Sequence, residues 1–231
     1  MFDRINTIYQ TLLSDQSPIQ IRDYGAGSRK QTNRTLADIT NNAASKPWKG
    51  RQLYHLAKSL KANTILELGT NVGIGTAYLA SGHQSSRVLT IEGDPGLAEI
   101  AKRNLNQLEI KNVESHIGEF SSVLPDLLDN LYSPIDLVYL DGNHRLDATL
   151  QYLELIKPSL ACKGAIIVDD INWSSGMLSA WESIIDNSWV NWSINLGQYG
   201  IVLWDANAGE APKHLTYIDY KYKPWKIGLF A

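Results

Sequence analysis

A single cysteine, Cys162, stands in 231 residues, so no disulfide can close within the chain and nothing in it calls for an oxidising compartment. Also missing is any unbroken run of about 18 apolar residues, which argues against a membrane-spanning helix. The opening MFDRINTIYQ interleaves charged and polar residues where a secretory leader would need an apolar core. Neither sign of charge dominates: 21 basic and 24 acidic side chains leave a net charge of −3. That balance gives nucleic acid or an anionic membrane no general field to follow. The expectation is a cytoplasmic protein that binds neither, with a homodimer left open. Internal repeats and low-complexity tracts are absent too.

What remains is the composition of an ordinary globule, long enough for one large α/β domain with an N-terminal extension. Residues 1–50 and 51–231 differ in character. In the first region Ile5, Ile8 and Leu12 suggest a helix, and Ile19 and Ile21 a short strand. A second helix is expected near Thr35, limited by Pro47. Another, from about Lys49 to Leu60, repeats Leu53, Leu56, Ala57 and Leu60 on one face.

From residue 63 strands alternate with helices. Strands are expected at 64–68, 87–92, 113–117, 135–140 and 164–168, and helices at 75–81, 94–106, 120–130 and 146–158. Most of the strands show little alternation, as expected when both faces are covered. A helix near Ser179–Asp186 follows. Val190–Leu196 and Tyr199–Trp204 are too close for a helical crossover and predict a hairpin. His214–Tyr220 is a candidate edge strand. The fold class is therefore a mostly parallel α/β sheet that ends in an antiparallel pair.

The first strand runs into TILELGTNVGIGT, with Gly69, Gly73 and Gly75 in the turn. Glycine permits a sharp turn and lets a ligand approach the backbone, and the helix that follows presents its N–H groups to the ligand. A dinucleotide fingerprint would read G-x-G-x-x-G, whereas this chain reads G-x-x-x-G-x-G. Glu67, two residues before Gly69, is badly placed for a pyrophosphate and well placed for an ammonium group. Glu92 closes the second strand, where a carboxylate can accept both hydroxyls of a ribose. Gly118, Glu119 and Phe120 end the third, with Phe120 a candidate wall for adenine. The implied ligand carries adenosine at one end and a cation at the other. That spacing disfavours an NAD-linked oxidoreductase, and the intact acids disfavour a fold kept for interaction alone.

Asp141 and His144 follow the fourth strand in YLDGNH; Asp169 and Asp170 follow the fifth in IIVDDINWSSGM. Adjacent parallel strands bring these acids together, and three carboxylates in one place raise at least one pKa unless something compensates. A hard divalent ion, Mg²⁺ or Ca²⁺, on Asp141, Asp169 and Asp170 is one compensation. Without a metal, His144 would act as general base with Asp169 or Asp170 orienting it, since an imidazole exchanges protons near neutral pH. Asn172 reads equally as a further oxygen donor or a loop residue. Trp173, Met177 and Trp181 read equally as an acceptor wall or as packing, and Asp23, Tyr24 and Arg29 as a lid or a solvated loop. Trp189, Trp192, Trp204 and Trp225 read as packing; Lys221, Lys223 and Lys226 as a solvated tail.

Taken together, ELGTNVGIGT at 67–76, IEGD at 91–94 and DLVYLDGNH at 136–144 resemble the class I S-adenosylmethionine-dependent methyltransferases over roughly residues 50–205. Within that superfamily the acid pattern is nearest the small-molecule O-methyltransferases of catechol and caffeoyl-CoA type. The resemblance implies a Rossmann-like seven-stranded sheet of order 3-2-1-4-5-7-6 with the seventh strand antiparallel. It also implies S-adenosylmethionine as cofactor and a small-molecule acceptor, methylated at a hydroxyl oxygen. Glu67, Gly69, Thr70, Gly73, Gly75 and Thr76 would surround its methionine part and Glu92 and Gly93 its ribose, with Gly118, Glu119, Phe120 and Asp141 completing the cofactor site. Asp141, Asp169 and His144 would carry the chemistry, and the extension would cover the acceptor. Asp170 stands where these enzymes usually have Asn, a departure that bears on the metal.

Overall fold

The computed structural model describes residues 1–21, 34–209 and 213–216. Helix α1 (Phe2–Ser14) buries Ile5, Ile8, Tyr9 and Leu12, one stripe at helical spacing. Strands β1 (Pro18–Ile19) and β2 (Arg34–Thr35) form a two-residue antiparallel ladder. Helix α2 (Leu36–Ala43) begins at a capping box, with Thr35 and Asp38 each accepting the other's backbone N–H. Pro47 does not end this helix. It opens α3 (Pro47–Leu60), where its missing N–H leaves no hydrogen bond unmade.

Then come β3 (Thr64–Leu68), α4 (Ile74–Gly82), β4 (Arg87–Glu92), α5 (Pro95–Gln107), β5 (Val113–Ile117), α6 (Phe120–Asp129), β6 (Ile135–Leu140), α7 (Leu146–Ile156), β7 (Leu160–Val168), α8 (Ser175–Ile185), β8 (Trp192–Asn195), β9 (Gly200–Asp205) and β10 (Lys213–Thr216). The large sheet runs β5-β4-β3-β6-β7-β9-β8-β10. Counted from β3, its first seven strands have the order 3-2-1-4-5-7-6. Strand β9 is antiparallel to both β7 and β8. Beyond the expected seven, β10 pairs parallel with β8. Two other elements start earlier than expected. Strand β7 begins at Leu160 and its pairing shifts register between Ile135 and Leu137; α8 begins at Ser175 because the Ser174 hydroxyl accepts from the Met177 amide (3.1 Å).

Residues alternate between two cores, one on each face of the sheet. Ile65 joins Ile5, Leu53 and Tyr78 on one side, while its neighbour Leu66 joins Leu89, Val138 and Trp181 on the other. All five residues of β3 are buried. Strand β5 departs from that expectation, with Glu114, Ser115 and Ile117 exposed. It is the last strand on its side, so it has one neighbour instead of two. No helix among the described residues is long and apolar enough to cross a membrane.

The α3–α4 contact sets the position of the site. A Cβ on Gly50 would lie 2.1 Å from the Tyr78 ring, so only glycine lets the two helices approach this closely. Tyr78 is wholly buried and cannot yield without disturbing the core. Gly50→Ala is expected to cost about 2 kcal/mol of stability, read as a lower urea midpoint with an unchanged slope; an unchanged midpoint would show that the contact is slack.

Candidate active site

A staircase of backbone hydrogen bonds holds the carboxyl ends of five strands side by side. Gly69 N donates to Ile91 O (2.9 Å), Gly118 N to Glu92 O (2.9 Å), Asp141 N to Leu68 O (2.9 Å) and Asp169 N to Leu140 O (2.9 Å). The acids read from the sequence therefore meet along one cleft edge, where open α/β sheets place ligands.

The cofactor half is built around Glu67, which is fully buried. Its Oε2 accepts from Thr76 Oγ1 (2.6 Å) and Thr90 Oγ1 (2.7 Å), and Thr70 Oγ1 lies 2.6 Å from Thr90 Oγ1. Among the described residues its Oε1 has no hydrogen-bond partner. Burial pushes the Glu67 carboxyl up to about 7, against the two threonine hydroxyls and with help from the charge of Glu92. The turn above it needs its glycines. Gly69 has φ +106°, and a Cβ there would sit 2.0 Å from the Asp141 carbonyl oxygen; Gly73 has φ +80° and opens α4. At Gly75 a Cβ would meet Ser45 Oγ at 2.9 Å and Glu67 Oε1 at 3.2 Å, so it would fill the space beside the unpartnered oxygen. A buried carboxylate oxygen without a donor, in a cradle without Cβ atoms, fits the ammonium end of the expected nucleoside.

Glu92 stands at the next strand end. Its Oε2 accepts the Asn71 amide (2.7 Å) and its Oε1 the Asp94 amide (3.0 Å), and the Gly93 amide also bonds it. Burial raises its pKa, against these amides. Three amides on two oxygens leave one lone pair for a sugar hydroxyl. Glu119 is exposed and precedes α6 as its N-cap. Phe120 sits edge-on to Tyr152 with ring centroids 5.6 Å apart. Its ring also lies 2.7 Å from where a Gly142 Cβ would be, which ties the third strand end to the fourth. Glu92→Ala is expected to weaken S-adenosylmethionine binding by about 2 kcal/mol, roughly thirtyfold. Calorimetry tests it, and an unchanged affinity would refute the ribose role.

The other half gathers the remaining acids around residues that the sequence did not single out. Tyr139, on β6, places its hydroxyl 2.7 Å from Asp141 Oδ2 and 2.9 Å from Asp169 Oδ2. Lys49, on α3, forms an ion pair with Asp169 Oδ2, and its Nζ lies 3.4 Å from the Tyr139 hydroxyl, as does Ser45 Oγ. Lys49 was detectable in principle: it occupies the stripe 49/53/57 that α3 buries, and a lysine on an apolar stripe needs a partner. Burial and the neighbouring Asp169 hold Asp141 well above the usual carboxylate range, against Lys49. Burial also opposes ionisation of Asp169, but Lys49 together with hydrogen bonds from Asp141 and Tyr139 outweighs it and leaves that carboxyl below its usual value. Burial works against the Lys49 ammonium, yet Asp141 and Asp169 raise its pKa overall.

Asp170 turns away from this pair, with φ +53°. Burial and Asp169 raise its pKa, against His144 and Lys49. His144 Nε2 lies 3.6 Å from Asp170 Oδ2 and 4.0 Å from Asp141 Oδ1. The arrangement does not fit the divalent ion expected on Asp141, Asp169 and Asp170. The Oδ2 atoms of the first two are engaged by a hydroxyl and an ammonium, and the third faces an imidazole. Among the described residues no group of three or more His, Cys, Asp or Glu is placed to hold a metal.

The ambiguous residues divide. Asn172 donates to Gly197 O, which ties the loop after β7 to the hairpin turn. Met177 and Trp181 are core, 1% and 3% exposed. Trp173 is exposed, as is Trp48, whose ring centroid lies 6.4 Å from that of Tyr199. Trp189 and Trp204 pack edge to face, their centroids 6.0 Å apart. Asp23, Tyr24, Arg29, Lys221, Lys223, Trp225 and Lys226 lie outside the described residues.

Residues 66–171 match the family model described as a methyltransferase domain. A catechol O-methyltransferase of Mycobacterium tuberculosis is 34% identical over 133 residues, 56% of this chain and 58% of that protein. Another, of Niastella koreensis, is 31% identical over 99 residues, 42% of this chain and 45% of its own. The chain thus spans about half the length of these relatives. Among solved structures, an O-methyltransferase from Bacillus cereus in complex with S-adenosylhomocysteine superposes with a TM-score of 0.60 at 24% identity, covering 69% of this chain and 80% of that one. That likeness is one of fold.

Proposed function

We propose, on the methyltransferase-domain match of residues 66–171 and the strand order, that the chain is a class I S-adenosylmethionine-dependent methyltransferase that methylates a hydroxyl oxygen of a small-molecule acceptor. The observation that carries this reading is the division of the cleft into two electrostatically different halves. One holds buried carboxylates, with Glu67 Oε1 unpartnered, and suits a cationic nucleoside. The other holds a cation, a tyrosine hydroxyl and an imidazole, and suits an oxygen that must lose a proton and tolerate negative charge.

Bound S-adenosylmethionine supplies an electrophilic methyl: the acceptor oxygen's lone pair forms the new O–C bond while the C–S pair stays on sulfur, leaving a neutral thioether. The rest is the work of this chain's residues. Glu67 meets the ammonium, Glu92 the ribose hydroxyls, and the glycine turn with Thr70 and Thr76 fixes the approach. His144 accepts the acceptor's proton, with Asp170 Oδ2 at 3.6 Å orienting the ring and stabilising the imidazolium. Residues 1–50 serve as cap, since both Ser45 and Lys49 reach the acceptor half from that end of the chain. The rings of Trp48 and Tyr199, with centroids 6.4 Å apart, favour a flat aromatic alcohol. The catechol O-methyltransferase names of the two relatives support an oxygen acceptor. The acidic balance of the chain disfavours nucleic acid.

The test is release of S-adenosylhomocysteine with a panel of phenols, aliphatic alcohols and amines, with the methylated atom assigned by NMR of the product. Methylation on phenolic oxygen is the expected result; transfer to amines alone would overturn the assignment.

A further inference from the structure

We propose that Lys49 is the resident cation of the acceptor pocket, and that its ammonium, in place of a divalent ion, holds the negative charge left on the acceptor oxygen when its proton departs. The proposal rests on the reading of oxygen methylation above and adds the group that makes it work without metal.

Three observations carry it. The first is the orientation of the donors. A divalent ion needs about six oxygens turned onto a common point. Here the Oδ2 atoms of Asp141 and Asp169 converge on the Tyr139 hydroxyl, at 2.7 Å and 2.9 Å, and Asp169 Oδ2 is also paired with Lys49. One hydroxyl proton and the ammonium thus occupy the place between the two carboxylates that a shared ion would take. Asp170, the third acid, has its backbone at φ +53° and its carboxylate beside His144.

The second observation is charge. The case for an ion at this place is the repulsion among three carboxylates, and the Lys49 ammonium answers that repulsion from within the chain. An ion would have to displace the ammonium, and the Lys49 side chain is only 13% exposed. A displaced lysine here would lose its partner without reaching water freely, which is costly.

The third is rigidity. Lys49 precedes Gly50, whose close contact with the Tyr78 ring presses α3 onto α4. The ammonium also lies 6.0 Å from the Tyr139 ring centroid and 5.9 Å from that of Tyr199. Among the described residues the buried Tyr199 hydroxyl has no hydrogen-bond partner. Charge that is fixed before the reaction stabilises the transition state without reorganising during it. Lys49 keeps its protons throughout; the acceptor's proton goes to His144.

The experiment has two arms. Mn²⁺ titrated calorimetrically into the wild-type protein, with and without S-adenosylmethionine, is expected to give no stoichiometric binding, and turnover is expected to survive dialysis against EDTA. Lys49→Met is expected to lower kcat about a hundredfold with S-adenosylmethionine affinity near wild type and a lowered thermal midpoint, because buried Asp169 loses its partner, and Lys49→Arg to recover part of both losses because it keeps the charge. Stoichiometric Mn²⁺ binding by the wild-type protein, loss of turnover in chelator reversed by Mg²⁺, or an unchanged kcat in Lys49→Met would each overturn the proposal. If Lys49→Met fails to fold, the wild-type titration decides alone. That arm needs no acceptor, so it stands even if no hydroxyl substrate is found and the functional reading fails.

Discussion

His144→Ala is expected to lower kcat by about a hundredfold or more, the lower end of what a positioned general base contributes, with S-adenosylmethionine affinity nearly unchanged. The ring stands on the loop after β6, with its Nε2 3.6 Å from Asp170 Oδ2 and 4.0 Å from Asp141 Oδ1. It touches none of Glu67, Glu92 or the glycine turn, so its loss should leave cofactor binding intact. Removing it takes away the acceptor of the proton, while the Lys49 ammonium remains as the neighbour of the oxygen. The two roles therefore separate in single-turnover measurements. Asp170→Asn should give a smaller loss, about tenfold, because it removes the orienting charge and keeps the ring. If kcat in His144→Ala stays within a few-fold of wild type while stability drops, the residue is a packing element and the proton leaves by another route.

The parts of the site that were legible in the sequence are those in which chemistry and strand ends coincide locally. Glu67, Gly69, Gly73 and Glu92 stand out because a glycine turn between a strand and a helix has few alternatives, and because an acid at the end of a buried strand needs donors there. Asp141 and Asp169 follow by the same logic, since their strands are neighbours in the sheet and their backbones are hydrogen-bonded to the strands beside them. The charge that balances them was not legible. Lys49 lies 120 residues from Asp169 along the chain, and nothing local announces the pairing. Its position on the buried stripe of α3 was a signal that the spacing of Leu53 and Ala57 concealed, because lysine so often lies at the edge of such stripes with its stem buried. Tyr139 was hidden for a related reason: in a strand read as uniformly buried, an aromatic passes for packing. Met177 and Trp181 could not be assigned because apolar side chains serve a pocket wall and a core equally well. Packing of α8 on the sheet decided for the core, with Trp181 against Gly200.

The two halves of the cleft solve the same electrostatic problem in opposite ways. In the acceptor half the chain supplies its own cation, and Asp169 is compensated before any ligand arrives. In the cofactor half it supplies none among the groups that contact Glu67, and the compensation is left to the ligand. That asymmetry gives the second large effect. In the unfolded chain the Glu67 carboxyl ionises near its ordinary 4.5, whereas in the fold it keeps its proton up to about 7. Between those values the folded form binds more protons than the unfolded one. The stability of the ligand-free protein should therefore fall as pH rises from about 4.5 to 7, by about 3 kcal/mol in all, and stay lowered above that. Glu67→Gln keeps an oxygen to accept from Thr76 and Thr90 and carries no charge. Its stability should lack this slope, matching wild type near pH 4 and exceeding it by about 3 kcal/mol at pH 8. S-adenosylmethionine should reverse the ranking, because its ammonium favours the ionised carboxylate that the variant cannot form. Binding near pH 6.5 should thus release protons from wild type and fewer from Glu67→Gln, a difference visible by calorimetry in buffers of different ionisation enthalpy. Urea unfolding across pH 4 to 8 supplies the other half of the test. Parallel stability curves for the two proteins would mean that Glu67 is ionised in the ligand-free fold, and that the cradle finds its counter-charge without the nucleoside.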